Sequence, residues 1–189
     1  MQPLNHAVRS RRVSRRRAIA ATIVAALALA LLGPGIAASA GDRPFKGGWL
    51  SAETVQDAAP PGCEVFLTTT QAGNATHMGR FTGTGVTCGF DIRVVADPPF
   101  NLSGGAPPFL VVDFTVEQTW TAADGSTLTW ATPDGVFVQS LSDGSASSMG
   151  TMDIMGGSGR FAGATGQAMI TAINTDVSFE GAIVYDASN

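Results

Sequence analysis

From Phe45 onward apolar and polar residues alternate with a period of two, in runs broken by Gly, Pro, Asn and Asp. The cleanest run is Leu110–Trp120. There Leu110, Val112, Phe114, Val116 and Trp120 share one parity, and Asp113, Thr115, Glu117 and Thr119 the other. Successive side chains of a strand point to opposite faces, so this stretch predicts a strand with one face in a core. Gln118 breaks the apolar parity, and a buried amide needs a partner. The same reading predicts strands over Phe45–Glu53, Cys63–Thr70, Thr76–Thr82, Val86–Val95, Ser126–Thr132, Val136–Leu141, Ser148–Met155, Gln167–Asn174 and Val177–Tyr185.

Turns are expected at Gln71-Ala72-Gly73-Asn74, Ala123-Asp124-Gly125, Pro133-Asp134-Gly135 and Ser142–Ser147, with a bulge or bend at Gly83-Thr84-Gly85. Ala96–Pro108 carries three Pro-Pro or Gly-Gly pairs, which reads as a long loop and a lid candidate. No helical periodicity follows residue 40. Eight to ten short strands joined mostly by hairpin turns predict an all-β domain. The preferred form is an antiparallel up-and-down barrel of about eight strands, with a small β-sandwich as the alternative.

Two stretches share the order Gly-Arg-Phe. One is Gly79-Arg80-Phe81. The other lies in Met155–Gly166, where Gly157, Gly159, Gly163 and Gly166 surround Arg160 and Phe161. Glycine is this dense where the backbone takes positive φ or passes close to other atoms. Both stretches are expected to form corners whose Phe81 and Phe161 plug one core. Arg80 and Arg160 would cover a barrel end with their stems, anion recognition being the alternative.

The first forty residues are of another kind. Six arginines stand in positions 9–17, an apolar run follows over Ala18–Leu32, and Ala38-Ser39-Ala40 has the form of a cleavage site. That order predicts a secretory signal peptide over 1–40, cut after Ala40, and a single domain over 41–189. Ser14-Arg15-Arg16-Arg17-Ala18 partly fits a twin-arginine signal, with an ordinary Sec signal as the alternative. The apolar run is shorter than the ~20 residues of a spanning helix, so no span is expected in the mature chain.

Export changes the charge. Six of eleven bases lie before the cut and all fifteen acids after it, leaving five bases and a formal charge of −10. Such a surface repels phosphate backbones, which excludes nucleic acid as an expected partner. Cys63 and Cys88 are the only cysteines, and outside the cytoplasm one disulfide is favoured over two buried thiols. Cys63 shares parity with Val65 and Leu67, and Cys88 with Val86 and Phe90, so both are expected on an inward apolar face.

Catalytic inventory is thin. Gly157-Ser158-Gly159-Arg160-Phe161-Ala162 fits a dinucleotide fingerprint only formally, because a strand and not a helix follows it. His77 is the one histidine beyond residue 40, too few for a triad or a zinc site; no metal and no cofactor are expected. Gln118, Asn174, Tyr185 and His77 are the candidate ligand contacts, since a few polar groups in an apolar interior mark small-ligand sites. Their alternative is ordinary polar residues with local partners.

Gly156–Gly166, between two late strands, resembles the glycine corner of the allene oxide cyclase and dirigent-like barrels. The resemblance covers about eleven residues. It implies an eight-stranded antiparallel barrel with an apolar interior, often a homo-oligomer, handling hydrophobic small molecules without a cofactor. The motif is a structural corner in those families and transfers no catalytic residue. Three functions stay open. The leading one is an exported barrel that binds an apolar small molecule without chemistry. The others are a cofactor-independent isomerase or cyclase, and an extracellular interaction protein with a filled barrel.

Overall fold

The structure is a computed structural model that describes residues 41–56, 58–100 and 105–186. The expected signal peptide lies outside them. Among the described residues eight strands follow in order: β1 (Arg43–Val55), β2 (Val65–Ala75), β3 (Gly79–Val95), β4 (Phe109–Ala122), β5 (Thr127–Ser140), β6 (Ala146–Gly157), β7 (Thr165–Ile173) and β8 (Asp176–Val184). Each pairs antiparallel with its neighbours, and β1 pairs with β8, so the sheet closes into an up-and-down barrel and not a sandwich. One short 3₁₀ turn, Gly159–Phe161, interrupts the strands between β6 and β7. No helix of the described residues is long and apolar enough to cross a membrane.

The strands are fewer and longer than the turn residues suggest. Gln71–Asn74 is not a turn but the end of β2, paired residue for residue with Phe81, Thr82 and their neighbours on β3. Gly83-Thr84-Gly85 is not a bend. The β3–β4 ladder runs through it without a break, and its irregularity falls later, between Phe90 and Arg93. Pro133-Asp134-Gly135 does not end β5; the register shifts there against both β4 and β6. A bulge is where a strand tolerates proline, which has no N–H to give the ladder. Asp134 anchors the bulge by accepting from Thr151 N and Oγ1, at 3.0 and 3.2 Å.

The glycines of β3 explain its inward face. A Cβ on Gly83 would stand 2.5 Å from Trp120 Cδ1, and one on Gly85 the same distance from Gln118 Oε1. Both side chains of β4 lie flat across β3 and reach β2. Trp120 Nε1 donates to Gln71 Oε1 at 2.7 Å, and Gln118 Nε2 donates to Thr69 Oγ1. Glycine here serves a close approach within the sheet, not a turn.

Two ends result. The base carries the short connections at 76–78, 123–126 and 158–164; the mouth carries those at 56–64, 96–108, 141–145 and 174–175. The core fills the base. Trp120 is fully buried, stacked on Phe81 at 4.2 Å between centroids, with Trp49, Trp130 and Phe179 at 5.2, 5.3 and 5.5 Å. Phe81 and Phe161 both belong to this cluster, so the two Gly-Arg-Phe copies close the same end.

The mouth half is braced from outside. Phe109, Val111 and Val138 form a second buried cluster with Val95, Phe100 and Val136. Their parity opposes that of inward Leu110, Val112 and Phe137, so the cluster lies on the outer wall. The described part of the Pro-rich loop packs on that cluster. Ala106 O and Pro107 O each accept a serine hydroxyl, from Ser140 and Ser142, at 2.7 Å, and Leu141 N donates to Pro108 O. The described part of this loop is therefore tied to the wall and is not a lid over the opening. Cys63 and Cys88 form a disulfide. It too is external, contrary to the parity reading: Cys63 precedes β2, and Cys88 alternates with inward Thr87 and Gly89.

Phe161 is fully buried and Phe81 nearly so. Replacing either by Ala should cost about 3–5 kcal/mol, a large part of a domain's stability. Chemical denaturation of Phe161→Ala and Phe81→Ala beside wild type checks this. A wild-type midpoint for Phe161→Ala would show that the corner is not an anchor.

Candidate functional site

Above the aromatic base the barrel is hollow. A cavity of about 600 Å³ opens at the mouth, within the range of small-molecule sites. Its wall is mostly apolar, with Val65 and Leu67 of β2, Leu110, Val112 and Val116 of β4, and Phe137 of β5. Its floor is Trp49 and Trp130. The geometry follows from side-chain size. β4 and β5 send large residues inward near the base, while β3 offers Thr87 and Gly89 nearer the mouth, which leave the lumen unfilled.

A few polar groups interrupt this lining. Thr69, Gln71, Gln118, Trp130 and Thr132 lie deep, and Glu53 and Asn174 lie toward the rim. Gln71 is satisfied by Trp120. Among the described residues four buried side-chain atoms have no hydrogen-bond partner, and three of them belong to residues that line this cavity: Gln118 Oε1, Trp130 Nε1 and Thr132 Oγ1. Gln118 and Trp130 sit opposite each other across β4 and β5, and Thr132 is opposite Val116 one inward position on. They form one polar patch on an apolar wall. Leaving such a group unpaired in a protein interior costs about 1–3 kcal/mol. Glu53 is the one titratable side chain among the described lining residues. It is exposed at the rim, yet partial desolvation by its surroundings raises its pKa above the usual carboxylate value.

The four candidate contacts are not brought together. Gln118 is in the deep patch, as its break of parity suggested. Asn174 lines the mouth from the β7–β8 turn, where it holds φ 54° and its Oδ1 accepts from Ala146 N. His77 and Tyr185 lie at the opposite end. His77 holds φ 65° in the β2–β3 turn, its Nε2 donates to Pro44 O at 3.0 Å, and its ring meets Tyr185 at 5.9 Å. Tyr185 packs on Phe161 at 5.2 Å beneath the Arg43 guanidinium. Thr69, Gln71 and Thr132 escaped the sequence reading. Their signal was parity, since Val65, Leu67, Thr69 and Gln71 form one inward series once β2 runs past Thr70.

The glycine corner builds the base. Gly159 and Gly163 take φ of 58° and 69°, the left-handed region that favours glycine. Gly157, Gly166 and Gly79 stand at the strand ends beside the base turns. Arg160 does more than cover the end with its stem. Its guanidinium pairs with Asp124 at 2.7 Å, donates to Met78 O at 3.1 Å and lies over the Phe161 ring. One side chain so joins all three base turns. Arg80, by contrast, is exposed on β3. Asp124 has a lowered pKa, mainly because Ser126 N–H donates to its carboxylate, with Arg160 adding to the effect.

The chain matches no protein-family model and no curated protein.

A carboxylate whose pKa is lowered by folding stabilises the fold above its unfolded pKa, near 4, and that share is lost as pH falls through the lowered value. Asp124→Asn should therefore melt below wild type at neutral pH, and the gap should close in acid. Melting curves across pH 2–7 test the sign. A gap that widens on acidification would refute the role of this carboxylate.

Proposed function

We propose that this protein is an exported barrel that binds an apolar small molecule and carries out no chemistry on it. The observation behind this reading is the open cavity with its unpaired polar patch, set above a closed aromatic base. A filled interior would have favoured a purely structural or interaction role; the cavity speaks against that. The resemblance of Gly156–Gly166 to the allene oxide cyclase and dirigent-like barrels agrees with a small-molecule ligand. A cyclase would need an acid or base at the reacting atoms, and the described lining offers only Glu53, exposed at the rim. Binding without reaction is the simpler use of this site. The disulfide and the arginine-led N-terminal sequence support export.

Two measurements test the reading. N-phenyl-1-naphthylamine, an uncharged dye that brightens in apolar surroundings, should bind the protein with enhanced fluorescence. Ala172→Phe, which fills the cavity wall, should abolish that signal while folding is retained at a cost of about 1–3 kcal/mol. No enhancement in wild type, or undiminished enhancement in the variant, would defeat the proposal. Protein collected outside the cell should begin at Gly41 and yield Cys63 and Cys88 in one linked peptide on non-reducing mapping. Retention of the arginine cluster or two free thiols would defeat the export reading.

A further inference from the structure

We infer that the ligand is an uncharged amphiphile that enters head first and carries a hydroxyl, lodged against Gln118, Trp130 and Thr132. The inference rests on the binding function proposed above and adds the chemistry of the ligand's head.

The three unpaired groups are each almost wholly buried, at 2%, 1% and 1% exposure. Their hydrogen-bonding capacities differ. Gln118 Oε1, a carbonyl oxygen, can only accept; on the same side chain one amide N–H goes to Thr69. Trp130 Nε1 can only donate, and the Thr132 hydroxyl can donate or accept. A hydroxyl has one hydrogen and two lone pairs. It can give its hydrogen to Gln118 Oε1 and accept from Trp130 and Thr132, which satisfies all three. A ketone can accept from Trp130 and Thr132 but leaves Gln118 Oε1 unpaired. A hydrocarbon leaves all three. Above the patch the wall is mostly apolar, with Leu110, Val112 and Phe137 and two hydroxyls, Thr87 and Ser148, so an apolar body has its place on the mouth side of the head.

Charge excludes an acid. The deep cavity holds no cation among the described lining residues to pair with a carboxylate. The mouth itself is acidic: Glu53, Glu64, Asp91, Asp97, Asp143 and Asp176 all lie toward that end. Its one base among the described residues, Arg93, is committed to Asp91 and Asp113 at 2.7 and 3.0 Å. The other four, Arg43, Lys46, Arg80 and Arg160, lie at the base. An anion would meet repulsion on entry and desolvation inside.

The test is displacement of bound N-phenyl-1-naphthylamine from the purified protein at neutral pH by 1-decanol, 2-decanone and decanoate. These share one chain length and differ in the head. Decanol should displace the dye at about tenfold lower concentration than either competitor, the scale of one buried hydrogen bond gained or lost. Gln118→Leu, with each displacement referred to the dye affinity measured in that same variant, should lose the preference for the alcohol over the ketone. Thr132→Val, close to its parent in shape, removes a donor that alcohol and ketone share, so it should weaken both alike and leave the ratio between them in place. Equal displacement by all three would mean that a fixed water satisfies the patch, and would overturn the inference. So would a preference for decanoate, or an alcohol preference intact in Gln118→Leu. If the dye does not bind wild type at all, the binding function fails first, and this failure is distinct from the others.

Discussion

The flat crossing of Trp120 over Gly83 decides how this barrel is filled. An eight-stranded barrel is just wide enough inside for side chains to pack it, or for one small ligand to share it. With no Cβ at Gly83, the indole lies along the wall, bonds Gln71 two strands away, and stacks on Phe81. The remaining rings gather on its other side, and the base closes as one aromatic layer. Any side chain at Gly83 would force the indole away from β3 and break its bond to Gln71. Gln118 repeats the arrangement over Gly85, one step nearer the mouth, and reaches Thr69. There the layer ends, because the next inward residues of β3 are Thr87 and Gly89.

The polar groups sort along the same axis. In the base, Trp120 Nε1 has its acceptor and Arg160 ties three turns through an ion pair, a carbonyl and a ring. In the cavity, Trp130 Nε1 has none, although it belongs to the same aromatic cluster. Two indoles whose centroids are 5.3 Å apart thus differ in whether their N–H is spoken for. If stability alone governed the sequence, Phe at 130, Leu at 118 and Val at 132 would remove three unpaired groups from the interior. Their polarity is a cost in stability, and it is concentrated on the cavity side of the aromatic layer.

Parity read the fold well where one face of a strand is apolar. β4 shows this, since Leu110–Trp120 has its faces assigned correctly and Gln118 is identified as the polar group inside. It failed where glycine and proline mark close packing or a bulge, as at Gly73, Gly83, Gly85 and Pro133. A local pattern cannot distinguish a glycine that turns the chain from one that accepts a neighbour's indole, because the neighbour lies 37 positions away. It also failed where both faces are apolar. Val86 and Phe90 on the outer wall look no different from an inward series, so Cys88 was assigned to the wrong side. Nor does parity tell one end of a barrel from the other. His77 and Tyr185 were grouped with Gln118 for their polarity, and they belong to the base.

A hollow half has little interior with which to hold itself together, and this one is held by its exterior. The disulfide joins the approach to β2 with β3 on the outer side, at the mouth end. Arg93 grips both carboxylate oxygens of Asp113 across β3 and β4, at 3.0 and 3.1 Å. Phe109, Val111 and Val138 form a small core on the outside of the wall, roofed by the Pro-rich loop. Asp134 fastens the β5 bulge to β6. Each brace restrains the rim without occupying the lumen. Cross-links and hydrogen bonds on the outer face add stability without drawing on the lumen. The base has Arg160 across its turns, but its main support is the aromatic layer, which supplies the burial that the mouth gives up. Packing inside at one end and bracing outside at the other are two answers to the same deficit, and together they let a small barrel enclose a cavity of about 600 Å³.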